Sequence, residues 1–186
     1  LIKSAEIIII GGGIIGTSLA YHLSKLGVHN TCLLEQGELA SGSTGDSAAI
    51  IRHHYTNEIS IKLVQNSLSI LSDLQNETGN NFLHQNGWVF LCPESASSMF
   101  DLNMNQLIEL GVNTHEIDIN DVVSLLPNIN PEGISKIAYE PNSGYADPKS
   151  VVNAFAEVAE RNGVSIYTNT KVIGISKSNN HIDSVE

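Results

Sequence analysis

Ile7-Ile8-Ile9-Ile10-Gly11-Gly12-Gly13-Ile14-Ile15-Gly16 is a β-branched run that breaks into glycines. Such a run reads as a strand buried on both faces of a parallel sheet. Gly11, Gly13 and Gly16 set G-x-G-x-x-G at its C-terminal end. Leu19, Ala20, Leu23 and Leu26 then recur at spacings of three and four, which predicts a helix ended by Gly27, where a positive φ is wanted. A second apolar strand, Thr31-Cys32-Leu33-Leu34, ends in Glu35. Strand, glycines, helix and acidic residue agree on a βαβ unit that binds a dinucleotide, against a bare glycine-rich turn that binds nothing.

Each residue has a physical task in such a unit. Gly11 allows the tight turn, Gly13 lets a pyrophosphate reach the backbone without meeting a Cβ, and Gly16 lets the helix sit close to the strand. The helix N-terminus offers N–H groups and a positive partial charge to phosphate. Glu35 accepts from ribose hydroxyls, and its charge repels a 2′-phosphate, so FAD or NAD is favoured over NADP.

The 186 residues suffice for one sizeable core or two small ones. A net charge of −11 argues against a nucleic-acid partner. Cys32 and Cys92 lie within apolar runs and read as buried hydrophobes rather than a disulfide or metal pair. The seven histidines show no metal-ligand spacing, so no metal site is expected. No apolar run is long enough to span a bilayer and no signal peptide is visible, so the default expectation is cytoplasmic.

Further along, Ala40–Ser47 is small and polar, with Gly42 and Gly45 read as permitting unusual φ. Asn57–Gln75 is an amphipathic helix with Ile61, Val64, Leu68 and Leu71 on one side, capped by Thr56 or Asn57. Gly87–Cys92 and Ile134–Glu140 read as strands, Ser95–Leu110 and Asp121–Leu126 as helices. Pro148 starts a helix through Arg161, and Val164–Thr168, Val172–Lys177 and His181–Glu186 read as strands. Strand–helix alternation at both ends implies one parallel sheet.

Gly16, Ala20, Leu23 and Gly27 together resemble the longer fingerprint of FAD-containing oxidoreductases. Gly37-Glu38-Leu39-Ala40-Ser41-Gly42-Ser43-Thr44-Gly45 is similar to the following loop of the D-amino-acid oxidase superfamily. Ala49-Ile50-Ile51-Arg52-His53-His54-Tyr55 looks most like its sarcosine oxidase and dimethylglycine dehydrogenase branch, and Gly144-Tyr145-Ala146-Asp147-Pro148 is a third match. The resemblance implies an α/β fold: a Rossmann-like FAD-binding domain, residues 1–81 and 143–186, with an inserted portion of an α+β substrate domain, residues 82–142. It implies FAD-dependent oxidation of a small amine or (N-methyl) amino acid. The alternatives are a hydroxy-acid or glycerol-phosphate dehydrogenase of the same superfamily, or a non-catalytic dinucleotide-binding subunit of a complex.

The resemblance also implies site residues. Gly11, Gly13, Ile14, Ile15, Gly16, Glu35, Gln36, Ser43, Thr44 and Val172 are expected around FAD, with Ala49 and Ile50 against the flavin ring. Arg52 is the candidate anchor for a substrate carboxylate, a task that suits a planar guanidinium; the alternative is a surface arginine paired with an acid. His53 and His54 are expected as polar residues at a domain surface. Two departures matter. Asp46 stands where dimethylglycine-dehydrogenase-like enzymes carry a flavin-linking histidine, so FAD is expected to be non-covalent. Ala49 stands where some monomeric sarcosine oxidases have a second arginine, which weakens the case for sarcosine itself. The resembled enzymes are about twice this length, so the chain is expected to be a fragment that does not turn over alone and that self-associates or joins partner subunits.

Overall fold

The structure is a computed structural model that describes residues 4–179 and 181–186. In chain order its elements are β1 (Ile7–Ile10), α1 (Ile14–Lys25), β2 (Thr31–Leu34), β3 (Ile50–Ile51), α2 (Glu58–Thr78), β4 (Leu83–His84) and β5 (Trp88–Pro93). A short 3₁₀ turn, Glu94–Ala96, leads into α3 (Ser97–Glu109), followed by β6 (His115–Glu116), α4 (Ile119–Leu125), β7 (Ile134–Glu140) and β8 (Gly144–Ala146). The chain ends with α5 (Pro148–Arg161), β9 (Ser165–Tyr167), β10 (Ile175–Ser178) and β11 (His181–Val185). Among the described residues, no helix is long and apolar enough to cross a membrane.

Two compact units form. The first takes Leu1–Ala48, Leu74–Phe82 and Asp147–Glu186. Its sheet has the order β1-β2-β9, parallel throughout, with Ile8 opposite Cys32 and Leu33 opposite Ile166. Ile9, Ala20, Leu33, Ala159 and Val164 make its core, so α1 and α5 cover the face that Ile9 and Leu33 present. Tyr21 and Phe155 join the two helices edge to face at 5.1 Å. Ile8 and Ile10 point to the other face and are 38% and 52% exposed, so β1 is not buried on both sides as its composition predicts. β10 and β11 pair as a separate antiparallel hairpin.

The second unit takes Ala49–Asp73 and Leu83–Ala146. It holds two antiparallel sheets, β3-β8-β4 and β5-β7-β6. Its core is Ile61, Cys92, Phe100, Met104, Leu107, Val112 and Ala138. The expected division kept 49–73 and 143–146 with the cofactor domain; here both stretches join the second unit. The reason is pairing and packing: Ile50–Ile51 match Tyr145–Gly144 in a sheet, and Ile61 enters the second core. Dipeptide strands such as β3, β4 and β6 have no periodicity to read, and none was expected.

Candidate functional site

The glycine turn is built as its spacing demands. Gly11 has φ +107, a left-handed value that a side chain disfavours. A Cβ on Gly16 would stand 1.9 Å from the Gly11 carbonyl oxygen, so only glycine lets α1 approach β1 this closely. The loop 40–47 departs from its expected logic. Gly42 and Gly45 are absent from the positive-φ residues, and Ala40 takes the left-handed value, φ +58. Gly45 is needed for space instead: its Cβ would meet the Ala40 carbonyl at 2.1 Å.

Two clefts meet at the C-terminal ends of β1 and β2. One, of about 240 Å³, is lined by Gly13, Glu35, Gln36, Ser41, Gly42, Ser43 and Thr44. The other, also about 240 Å³, is lined by Ile10, Gly11, Leu34, Glu35, Gln36, Thr170, Lys171 and Val172. Thr44 Oγ1 accepts the Ile14 amide at 3.2 Å and so ties the loop to the start of α1. Ile14 and Ile15 line a shallower cleft with Ser18, Leu19 and His22. The Glu35 carboxylate is buried and accepts the Gly12 amide at 2.6 Å and the Gly37 amide at 2.8 Å. Its backbone is tied to the end of β9, donating to Tyr167 at 2.9 Å and accepting from Thr170 at 2.8 Å. A carboxylate has about four acceptor positions, so ribose hydroxyls can share it. Glycines that leave the backbone open, a helix N-terminus free of acidic side chains and a buried acceptor fit a dinucleotide diphosphate. Ser41, from the loop that carries the resemblance, also lines these clefts, as do Thr170 and Lys171, which nothing in their local sequence marks.

Ala49, Ile50 and Arg52 lie in the second unit. Ala49 has φ +44, and its carbonyl accepts the Ala146 amide at 3.0 Å. Arg52 is half-buried; its Nη1 donates to the His54 carbonyl, and its guanidinium carbon lies 4.7 Å from the Tyr55 ring centroid and 6.0 Å from that of Trp88. Among the described residues no carboxylate pairs with it.

His53 and His54 are not surface residues: both are buried, around a buried Glu140. Glu140 Oε2 accepts the His53 amide at 2.9 Å and the Ser143 hydroxyl at 2.8 Å, and Oε1 lies 3.4 Å from His54 Nδ1. Burial pushes the Glu140 carboxyl up, but the His54 ring, the Ser143 hydroxyl and the His53 amide outweigh it and hold it below its ordinary 4.5. Burial pulls His53 below its ordinary 6.5, with the Glu140 charge opposing. One sequence signal for Glu140 existed: it shares the inward phase of β7 with buried Ala138, an unusual place for an acid. Among the described residues no cluster of His, Cys, Asp and Glu can hold a metal ion.

The profile of the family "DAO: FAD dependent oxidoreductase" matches residues 6–186. The mitochondrial pyruvate dehydrogenase phosphatase regulatory subunit of Mus musculus is 31% identical over 184 residues, 98% of this chain and 21% of that protein. The mitochondrial sarcosine dehydrogenase of Mus musculus is 31% identical over 183 residues, 93% of this chain and 19% of that protein. The solved L-proline dehydrogenase from P. horikoshii superposes with a TM-score of 0.92 at 28% identity, over 100% of this chain and 49% of that one. The chain thus spans about a fifth of the length of these curated relatives. Fold, glycine turn and profile agree, and the chain belongs to the DAO family of FAD-dependent oxidoreductases.

Proposed function

We propose that this chain supplies the FAD-binding turn and the carboxylate anchor of an oxidoreductase acting on a small amine or amino acid, N-methyl amino acids included. The observation that carries this is Arg52, half-buried against Tyr55 and Trp88 with no protein carboxylate beside it among the described residues. A planar fork in that setting suits a bidentate ligand carboxylate. Gly11, Gly13 and Gly16 give the diphosphate a close approach, Glu35 accepts from the ribose, and Gln36, Ser43, Thr44, Ile14, Ile15 and Val172 complete the cofactor's surroundings. We place Ala49 and Ile50 beside the flavin ring. FAD, when bound, supplies the two-electron acceptor: the substrate carbon loses a hydride, its nitrogen a proton, and water hydrolyses the resulting imine. We take FAD to be non-covalent, since Asp46 offers no linking imidazole. Acid precipitation then releases all the flavin.

One observation favours a second reading. A relative covering nearly the whole chain is named a regulatory subunit, which suits a non-catalytic FAD-binding role. Anaerobic mixing of the complete, FAD-loaded protein with sarcosine, L-proline and a panel of amino and hydroxy acids separates the two. Bleaching by an amine-bearing acid is expected; no bleaching by any of them supports the regulatory reading, and bleaching by hydroxy acids alone overturns the amine class.

A further inference from the structure

Burying a carboxylate is costly unless its oxygens are paired, so Glu140, 1% exposed, calls for a reason. Its Oε2 accepts the Ser143 hydroxyl, so the Ser143 oxygen is left to receive from His53 Nδ1 at 3.2 Å, which fixes the Nδ1–H tautomer of His53. The same oxygen accepts the His53 amide, and Oε1 faces His54, whose ring stacks on Phe90 at 3.9 Å. One carboxylate therefore holds the His53 backbone directly and the His53 imidazole through Ser143, while its Oε1 and His54 Nδ1, both buried, face each other without a hydrogen bond. The His54 carbonyl is the acceptor on which Arg52 rests. Trp88, under the same guanidinium, is the cross-strand partner of Glu140 in the β5–β7 ladder.

We infer that Glu140 is the positioning residue for Arg52. It clamps His53 by its amide and, through Ser143, by its ring, so the adjoining His54 carbonyl and the aromatic rings that hold the guanidinium stay in place before any ligand arrives. A guanidinium held in advance loses less rotamer freedom on gripping a carboxylate. The inference rests on Arg52 being the carboxylate anchor.

The test uses the complete, FAD-loaded protein and two ligand pairs that differ only by a carboxylate: sarcosine against dimethylamine, and L-proline against pyrrolidine. Binding is followed by the change in flavin absorbance. Glu140→Gln is expected to weaken both carboxylate ligands by about tenfold, a partial loss of one charge-assisted contact, and to leave the amines within about twofold. Arg52→Lys is expected to act in the same direction and further. His54→Phe keeps the stack on Phe90 and the backbone carbonyl; it is expected to give a smaller loss of the same selectivity, and it decides the question if Glu140→Gln does not fold. Weakening of carboxylate ligands by Arg52→Lys but not by the Glu140 or His54 variant overturns the positioning role and leaves the anchor standing. Unchanged binding in Arg52→Lys overturns the anchor, and the positioning role with it. Equal weakening of acids and amines by Glu140→Gln marks a merely structural role and also overturns the inference.

Discussion

The Glu35 carboxylate has two partners inside the protein, the amides of Gly12 and Gly37, before any cofactor is considered. It therefore shapes the turn that it was expected only to complement. Glu35→Ala leaves two amides without their acceptor and removes the proposed ribose contact, so FAD affinity is expected to fall by at least about 1–3 kcal/mol. Equilibrium dialysis of FAD against the variant checks this; unchanged affinity places the ribose elsewhere. At Glu140 and His53 the expected signature is pH dependence. Both have native pKa values below the ordinary ones, so the unfolded chain binds more protons than the native one and stability rises with pH. On acidification the His53 contribution is lost from about 6.5 downward, and the Glu140 contribution from 4.5 downward through its native pKa. Glu140→Gln resembles the protonated acid. Its thermal midpoint is expected to lie below that of the unmodified protein at neutral pH and to converge with it as pH falls below 4.5. A gap constant with pH shows that the carboxylate's charge is not what stabilises the cluster.

Elements carry these residues to their places, and α1 shows how. Ala20 is fully buried in the same core as Ile9 and Leu33, and Thr17 returns its hydroxyl to the Gly13 carbonyl at 3.0 Å. The small side chain at 20 sets how near the helix lies to the sheet, and hence where its N-terminus presents the glycine turn. Ala20→Leu adds volume that the core has no room for, and is expected to cost about 1–3 kcal/mol. It is also expected to lower flavin content although residue 20 is not among those lining the clefts, which absorbance of the purified protein measures. Normal flavin content with lowered stability separates packing from placement. Elements like α1 were legible because periodicity, turn glycines and caps coincide. Asn57 caps α2 by accepting the Ser60 amide at 2.8 Å, and Asp147 caps α5 by accepting the Ser150 amide at 2.7 Å. Boundaries near polar stretches were less legible: α2 runs to Thr78, beyond the expected Gln75, and stops at Gly79, whose φ is +72 and whose amide donates to the Gln75 carbonyl at 2.9 Å.

At the scale of the whole molecule, what the sequence revealed and what it hid divide along contact range. The glycine turn is local: strand, glycines and helix are contiguous, so its geometry was readable from spacing. The Glu140 cluster joins positions 53 and 54 to 140 and 143, and no local pattern brings those together. The same limit misplaced 49–73, whose allegiance is set by strand pairing with Gly144–Tyr145. Burial was misjudged for β1 for a related reason. A β-branched run states that a strand is apolar on both faces, and only the packing states which face is covered. Here Ile8, Ile10, Ile15 and Leu19 are 38%, 52%, 83% and 46% exposed, all in the first unit. Apolar surface of this kind on the first unit favours association through it, and β1 also ends its sheet with one edge unpaired among the described strands. These 186 residues prepared alone are therefore expected to self-associate in a concentration-dependent way, despite a net charge of −11 that opposes contact. Raising salt screens that charge and is expected to increase association. Sedimentation of the chain across a range of concentrations, with and without added salt, checks both halves. Ile8→Lys with Ile10→Lys puts charge on the exposed face of β1 and is expected to restore a monomer. A chain monomeric at all concentrations shows that the exposed isoleucines are not adhesive; association that survives the double substitution assigns the contact to another surface.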